Sequence, residues 1–409
     1  MPPVNGEKKK PTGQNSNPPE KNRKPLVAGP EKKDPRLEIL TKRVQMAQEG
    51  KDVSRSIAFS ILLLGKDEPE MWWEVPRFLH ELCIIREELR EDVVGKLTAG
   101  LSNEDESIAV GCARMLSFLA EKEVKVKEAF PSVIENLRGE GSEKVMWLTK
   151  VLYNAAFRGE DVYEANPTLL GIIRNSRSEN GEGLEGLMDN RKREQNNTRS
   201  YAAGAICYTL ENTGKGYEHV PEVCELVDDP YPNVIDYLSQ FLRIAVEMDG
   251  GYEEMASEKL VELLLTKPDK NGNGFVKEQI KELVKNEKRR DITLIRLEGV
   301  VPVLLEKLKG EEGECIKAVS MLGFLGSVGV DANLFARELV ELMKNKEGPV
   351  LTTAISSGLA LASTVEGGEE NLELVKSLMD EWMGEILGRE ESGGELRKVN
   401  AVLVLLPED

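Results

Sequence analysis

The chain has few of the residues that enzymes use for chemistry. Of 409 residues only two are histidine, His80 and His219, and five are cysteine. The histidines lie far apart, so neither a catalytic triad nor a zinc site is written into their spacing. Cys83, Cys112, Cys207, Cys224 and Cys315 are widely separated, and none forms a Cys-x-x-Cys pair. Each sits in an apolar stretch, which predicts free thiols acting as small core residues in a reducing compartment. No run of 18 apolar residues occurs, so no transmembrane helix is expected. The N-terminus lacks an apolar stretch of signal-peptide type. Aromatics are only 5% of the chain, and no alternating pattern is long enough to propose a sheet. No Walker-type loop is present. These absences predict no catalytic residues, no metal and no cofactor, and they point to a cytoplasmic protein.

What is present is a period. Leu101, Leu137, Ile173, Leu226, Leu265, Leu308, Leu342 and Leu387 each close an apolar helical stretch, followed by a polar turn and a second apolar helix. The gaps are 36, 36, 53, 39, 43, 34 and 45 residues. A recurring period near forty (roughly the length of two helices and their turns) marks an array of paired helices. The turns have nearly constant length. Seven residues separate Leu101 from Ile108, and eight separate Leu137 from Val145, Leu226 from Val234, Leu308 from Ile316 and Leu342 from Val350. The second helices carry wide stripes with small residues among large ones, as in Ile108, Ala109, Cys112, Ala113 and Leu116. That pattern suits a helix held between two neighbours.

The first helices carry prolines in one register. Pro131, Pro167, Pro221 and Pro302 precede their markers by six, six, five and six residues. Proline is tolerated in the first turn of a helix and disruptive inside it, so the four mark a shared start or bend. Helix pairs of this length with an early proline resemble HEAT repeats of the armadillo-like superfamily, over roughly residues 37–405. The resemblance implies an all-α fold, a right-handed α-solenoid (armadillo-like superhelix) of HEAT-type helix pairs. The segment Val151-Leu152-Tyr153-Asn154-Ala155-Ala156 also resembles the third helix of an armadillo repeat, where an Asn lines the groove. Only Asn154 matches that pattern here. HEAT-like iron hydroxylases use several His-Glu pairs, and this chain has one, His80-Glu81.

The net charge is −18. Residues 1–36 hold nine Lys or Arg against four Asp or Glu, a balance of +5 that leaves −23 on the rest. An acidic body disfavours nucleic acid and suits a protein partner with a basic surface. Residues 1–35, rich in Pro and Lys, read as a disordered tail, and residues 36–409 as the solenoid. Residues 177–198 break the period and read as a polar loop containing Arg191-Lys192-Arg193, with helix pairs resuming at Thr198 and running to the end. Asp269-Lys270-Asn271-Gly272-Asn273-Gly274 resembles the start of an EF-hand loop, but position twelve is Ile280 instead of the required Glu. It reads as an inter-helix turn.

Function follows as an expectation from architecture. Arrays of helix pairs present long surfaces, so the chain reads as a non-enzymatic protein-interaction scaffold or regulatory subunit gripping a partner in a concave groove. The alternative is a HEAT-like nucleic-acid-associated accessory protein or a glycosylase-type enzyme. Residues that interrupt the second-helix stripes are expected to face the partner: Arg114, Lys150, Asn154, Tyr208, Gln240 and Arg243. Trp72 and Trp73 point about 100° apart on a helix, so one is a candidate anchor, and Trp72 joins the set.

Overall fold

A computed structural model describes residues 35–66, 68, 71–138, 142–175, 190–248, 250–266, 274–362 and 368–387. Among these residues the fold is all-α, without a strand. The first helices are α1 (Pro35–Gln48), α2 (Ser54–Leu64), α3 (Met71–Ile85), α4 (Glu87–Gly100) and α5 (Glu106–Glu121). Then come α6 (Phe130–Asn136), α7 (Ser142–Phe157), α8 (Asn166–Asn175), α9 (Asn190–Thr213), α10 (Val220–Leu226) and α11 (Pro232–Glu247). The remainder is α12 (Glu253–Thr266), α13 (Gly274–Lys285), α14 (Arg290–Glu298), α15 (Val301–Lys307) and α16 (Glu312–Ser327), then α17 (Ala336–Asn345), α18 (Gly348–Ala362) and α19 (Gly368–Leu387). None of the described helices is long and apolar enough to cross a membrane.

The local signals explain where helices start and stop. Asp105 caps α5 by accepting a hydrogen bond from the Ser107 N–H at 3.0 Å. The helix ends where Glu123 turns to φ 64, which lets the Val124 N–H reach back to the Leu119 carbonyl at 2.9 Å. α7 ends in the same way, with Gly159 at φ 84 and the Glu160 N–H on the Ala155 carbonyl at 2.9 Å. A short 3-10 turn follows each, and then a proline at the second residue of the next helix. Pro131, Pro167, Pro221 and Pro302 hold that place in α6, α8, α10 and α15. There the missing N–H removes no helical hydrogen bond.

Packing is between neighbours. α4, α6, α8 and α10 pack on α5, α7, α9 and α11, and the latter four also pack successively on one another. The marker residues Leu101, Leu137, Ile173 and Leu226 are buried there, and Leu308 is buried where α15 gives way to α16. Polar clasps recur between successive second helices. Asn154 of α7 donates to the Ser117 carbonyl of α5 at 3.0 Å, Asn212 of α9 to the Ala156 carbonyl of α7 at 2.8 Å, and Ser357 of α18 to the Val319 carbonyl of α16 at 2.9 Å. Each gives a helix carbonyl a second donor and sets the height of one helix against the next.

Two features differ from the sequence expectation. Helix α9 begins at Asn190, not Thr198, so the later part of the supposed polar loop is helical; residues 176–189 lie outside the described residues. Its polar run conceals a buried anchor. Arg199 Nη1 meets Asp229 Oδ2 at 2.6 Å, and both side chains are 0% exposed. Arg199 Nη2 donates to Asn196 at 2.6 Å, and Asp229 Oδ1 accepts from the Tyr231 N–H at 2.8 Å. The second difference is α14, which stands between α13 and α15 and packs on α12 and α13. Arg296 ties it to Glu254 and Glu258 of α12, each at 3.1 Å. The strictly paired arrangement is therefore interrupted there. The tail expected over residues 1–35, except for Pro35, lies outside the described residues, as do residues 388–409 of the expected solenoid and 269–273 of the EF-hand-like turn.

Candidate partner-binding face

Helices α5, α7, α9 and α11 carry a row of rings and cations. Arg114 of α5 lies over the Trp147 ring of α7 at 5.2 Å and pairs with Glu143 at 2.8 Å. Trp147 donates its indole N–H to the same Glu143 at 3.3 Å. Lys150 of α7 stands 5.3 Å over Trp147 and 5.9 Å over the Tyr201 ring of α9, with Glu121 of α5 at 3.6 Å. Tyr201 touches Tyr153, with centroids 5.4 Å apart. Tyr153 in turn meets Tyr208 at 5.7 Å and Tyr237 of α11 at 5.9 Å, and the Tyr153 and Tyr237 hydroxyls share a 2.9 Å hydrogen bond. Phe157 closes the row against Tyr208 at 5.1 Å and is 51% exposed. Burial pushes the Tyr201, Tyr208 and Tyr237 phenols upward, so all three stay neutral at physiological pH.

Small residues make this packing possible. A Cβ at Gly204 would lie 2.5 Å from a Tyr153 ring carbon, so glycine is what admits the ring between α7 and α9. At the α5 end of the row a groove of about 370 Å³ opens among α2, α3, α5 and α7. Its floor and walls include Leu63, Trp73, Pro76, Met115, Phe118 and Trp147. Trp73 is 78% exposed, the most exposed large apolar side chain among the described residues. A ring held in water beside an apolar groove is a costly arrangement in isolation and a useful one for a partner.

The expected site residues divide clearly. Arg114, Lys150 and Tyr208 fall on this one face and are linked through Trp147, Tyr201 and Tyr153. Gln240 lies beside it, 3.5 Å from Glu211. Asn154 does not face outward: it is 7% exposed and spent on Ser117, so its role is the clasp between α5 and α7. Arg243 is largely engaged within the fold, donating to Gln279 of α13 at 3.0 Å and to Glu247 at 2.6 Å. The Trp72 side chain lies outside the described residues, and its neighbour Trp73 supplies the exposed ring.

Trp147, Tyr153, Tyr201 and Tyr237 were missed because aromatic residues on apolar stripes read as core. One signal was available: all eight tyrosines of the chain lie between Tyr153 and Tyr252. Among the described residues no group of three or more His, Cys, Asp or Glu could hold a metal ion. Cys83, Cys112, Cys207 and Cys315 are buried, Cys224 is half-buried, and all five are free thiols.

No protein-family model and no curated protein matches the chain. Among solved structures, the crystal structure of an engineered protein aligns with 16% identity over 90% of this chain and 94% of that one, at a TM-score of 0.38. That likeness is too distant to speak for fold or function.

Proposed function

We propose that the chain is a HEAT-type α-solenoid, of the armadillo-like kind, that works as a non-enzymatic protein-binding scaffold or regulatory subunit. The observation that carries this reading is the row from Arg114, Trp147 and Lys150 through the tyrosines to Phe157, with the Trp73 groove at its α5 end. It runs over α5, α7, α9 and α11 and combines half-buried and exposed rings with oriented charges. Rings and arginines of this kind dominate the energetics of protein interfaces. The helix pairs with proline at their starts, and the successive packing of α5, α7, α9 and α11, support a solenoid whose second helices line the concave side. The excess of acid outside the N-terminal segment favours a partner with a basic surface. Five free thiols suit a cytoplasmic setting.

The test is capture from native extract with the full chain and four variants, followed by calorimetry on the captured partner. Trp73→Ala should weaken binding at least tenfold, and Arg114→Glu should change it severalfold. Arg138→Glu, beyond the end of α6, and Arg193→Glu, in the first turn of α9, should leave it unchanged. Affinity should fall as salt rises. A partner lost only on Arg193→Glu, or lost on nuclease treatment, would refute the reading.

A further inference from the structure

The Trp73 groove lies close to where the N-terminal segment joins the fold. Its walls are the end of α2 at Leu63 and Leu64, the first turns of α3 at Trp73 and Pro76, and parts of α5 and α7. Helix α1 starts at Pro35 and packs on α3. The chain therefore enters the fold on a helix that lies against the one carrying Trp73. Reach is not limiting. Nine positions separate Leu26 from Pro35 and span up to about 30 Å when extended, against roughly 22 Å for the whole length of α3.

The segment before Pro35 carries chemistry that matches the groove. Leu26-Val27-Ala28 is the one run of three adjacent apolar residues within residues 1–34. Pro25 and Pro30 bracket it, and the fixed φ of proline lowers the entropy that docking costs. Lys21, Arg23 and Lys24 precede the run, and Lys32 and Lys33 follow it. The groove offers apolar walls from Leu63, Trp73, Met115, Phe118 and Trp147 around about 370 Å³. Its two cations are already matched, Arg114 with Glu143 at 2.8 Å and Lys150 with Glu121 at 3.6 Å. Residues 1–36 hold +5 against −23 on the rest, so the field of the body draws the segment in. Covering the Trp73 ring, 78% exposed, supplies the driving force at the end of that approach.

We propose that residues 24–30 dock in the Trp73 groove of their own chain and cover it until a partner displaces them. The docking stands without the scaffold reading; only the competition with a partner rests on that reading. A short tether supplies an effective concentration in the millimolar range, which favours this occupant over a second copy at micromolar protein.

The test uses the full chain labelled with 5-fluorotryptophan and read by fluorine NMR, with Trp72, Trp73, Trp147 and Trp382 assigned from single replacements by phenylalanine. Leu26→Asp together with Val27→Asp should move the Trp73 signal and raise its solvent isotope shift to that of a free indole. Trp382, buried in α19, should stay still. A synthetic peptide of residues 20–34, added to that double variant, should restore the original signal with a Kd of about 0.1 mM. That affinity leaves the groove about nine-tenths filled at a millimolar effective concentration. The same peptide carrying both aspartates should restore nothing. A captured partner should bind the double variant about tenfold more tightly, because the groove is free. A Trp73 signal identical in the two chains would overturn the proposal. So would a difference that disappears on dilution, which belongs to a second copy. If the signals agree while Trp73→Ala still weakens capture, the docking falls and the scaffold stands. If the signals differ while Trp73→Ala leaves capture intact, the docking stands and the groove is no partner site.

Discussion

Replacing Arg199 by methionine should be among the most damaging single changes in the molecule. Methionine keeps much of the apolar stem and removes the charge. Asp229 then remains 0% exposed and loses its guanidinium partner, while the Tyr231 N–H still donates to it at 2.8 Å. At a 2.6 Å nitrogen–oxygen contact the charge centres lie roughly 4 Å apart, worth about 4 kcal/mol at an effective dielectric near 20. Breaking a buried pair from one side costs about 3–5 kcal/mol, because the stranded charge cannot recover its water. Asp229→Asn removes the charge that would be stranded and keeps an acceptor for Tyr231. The double variant Arg199→Met with Asp229→Asn should therefore cost no more than Arg199→Met alone. Proteins open locally in cooperative units, so the assay is native-state amide exchange read separately for α9 and α11 and for α16. Protection should fall in α9 and α11 by the stated amount and stay unchanged in α16. If the two single costs add in the double variant to within about 0.5 kcal/mol, the pair does not couple and the reasoning is wrong.

Other outcomes follow from the same geometry. Gly204→Ala should displace Tyr153, break its hydroxyl bond to Tyr237 and destabilise α9 by about 1–3 kcal/mol, read by amide exchange and the tyrosine NMR signals. Burial pushes the Cys83 and Cys112 thiols up to about 12 and Cys224 to about 11, so iodoacetamide at pH 8 should label Cys224 before Cys83 and Cys112, and all five thiols only after unfolding. Asp236 has its native carboxyl raised by burial, so the native state keeps that proton to higher pH than the unfolded chain. Its contribution to stability is present at low pH and is lost as pH rises through the native value. Asp236→Asn should therefore leave stability at pH 7 equal or higher and make the loss of stability on acidification steeper in urea titrations; a clear loss at pH 7 would contradict the burial argument.

The sequence was enough for the helical class and for most helix boundaries. Apolar residues at helical spacing must be buried on one side, and Pro131, Pro167, Pro221 and Pro302 can only sit where no helical N–H is needed. It failed at α9, because the Asn190–Asn197 run has the composition of a loop. Arg199 of that helix pairs with Asp229, thirty positions away, and no local pattern announces such a pairing. It failed likewise at Asn154 and Arg243, where a polar residue within an apolar stripe has two meanings. It can face solvent, or it can bond the next helix, as Asn154 does to Ser117 and Arg243 to Gln279.

The binding face shows the same division. Spacing placed Arg114, Lys150 and Tyr208 on second helices, because periodicity fixes which side of a helix a residue occupies. Whether those sides meet depends on how far each helix is turned and shifted against the next. Gly204 and the clasps from Asn154 and Asn212 set that relation, through contacts between residues dozens of positions apart. Only the packed structure brings Trp147, Tyr153, Tyr201 and Tyr237 into one row.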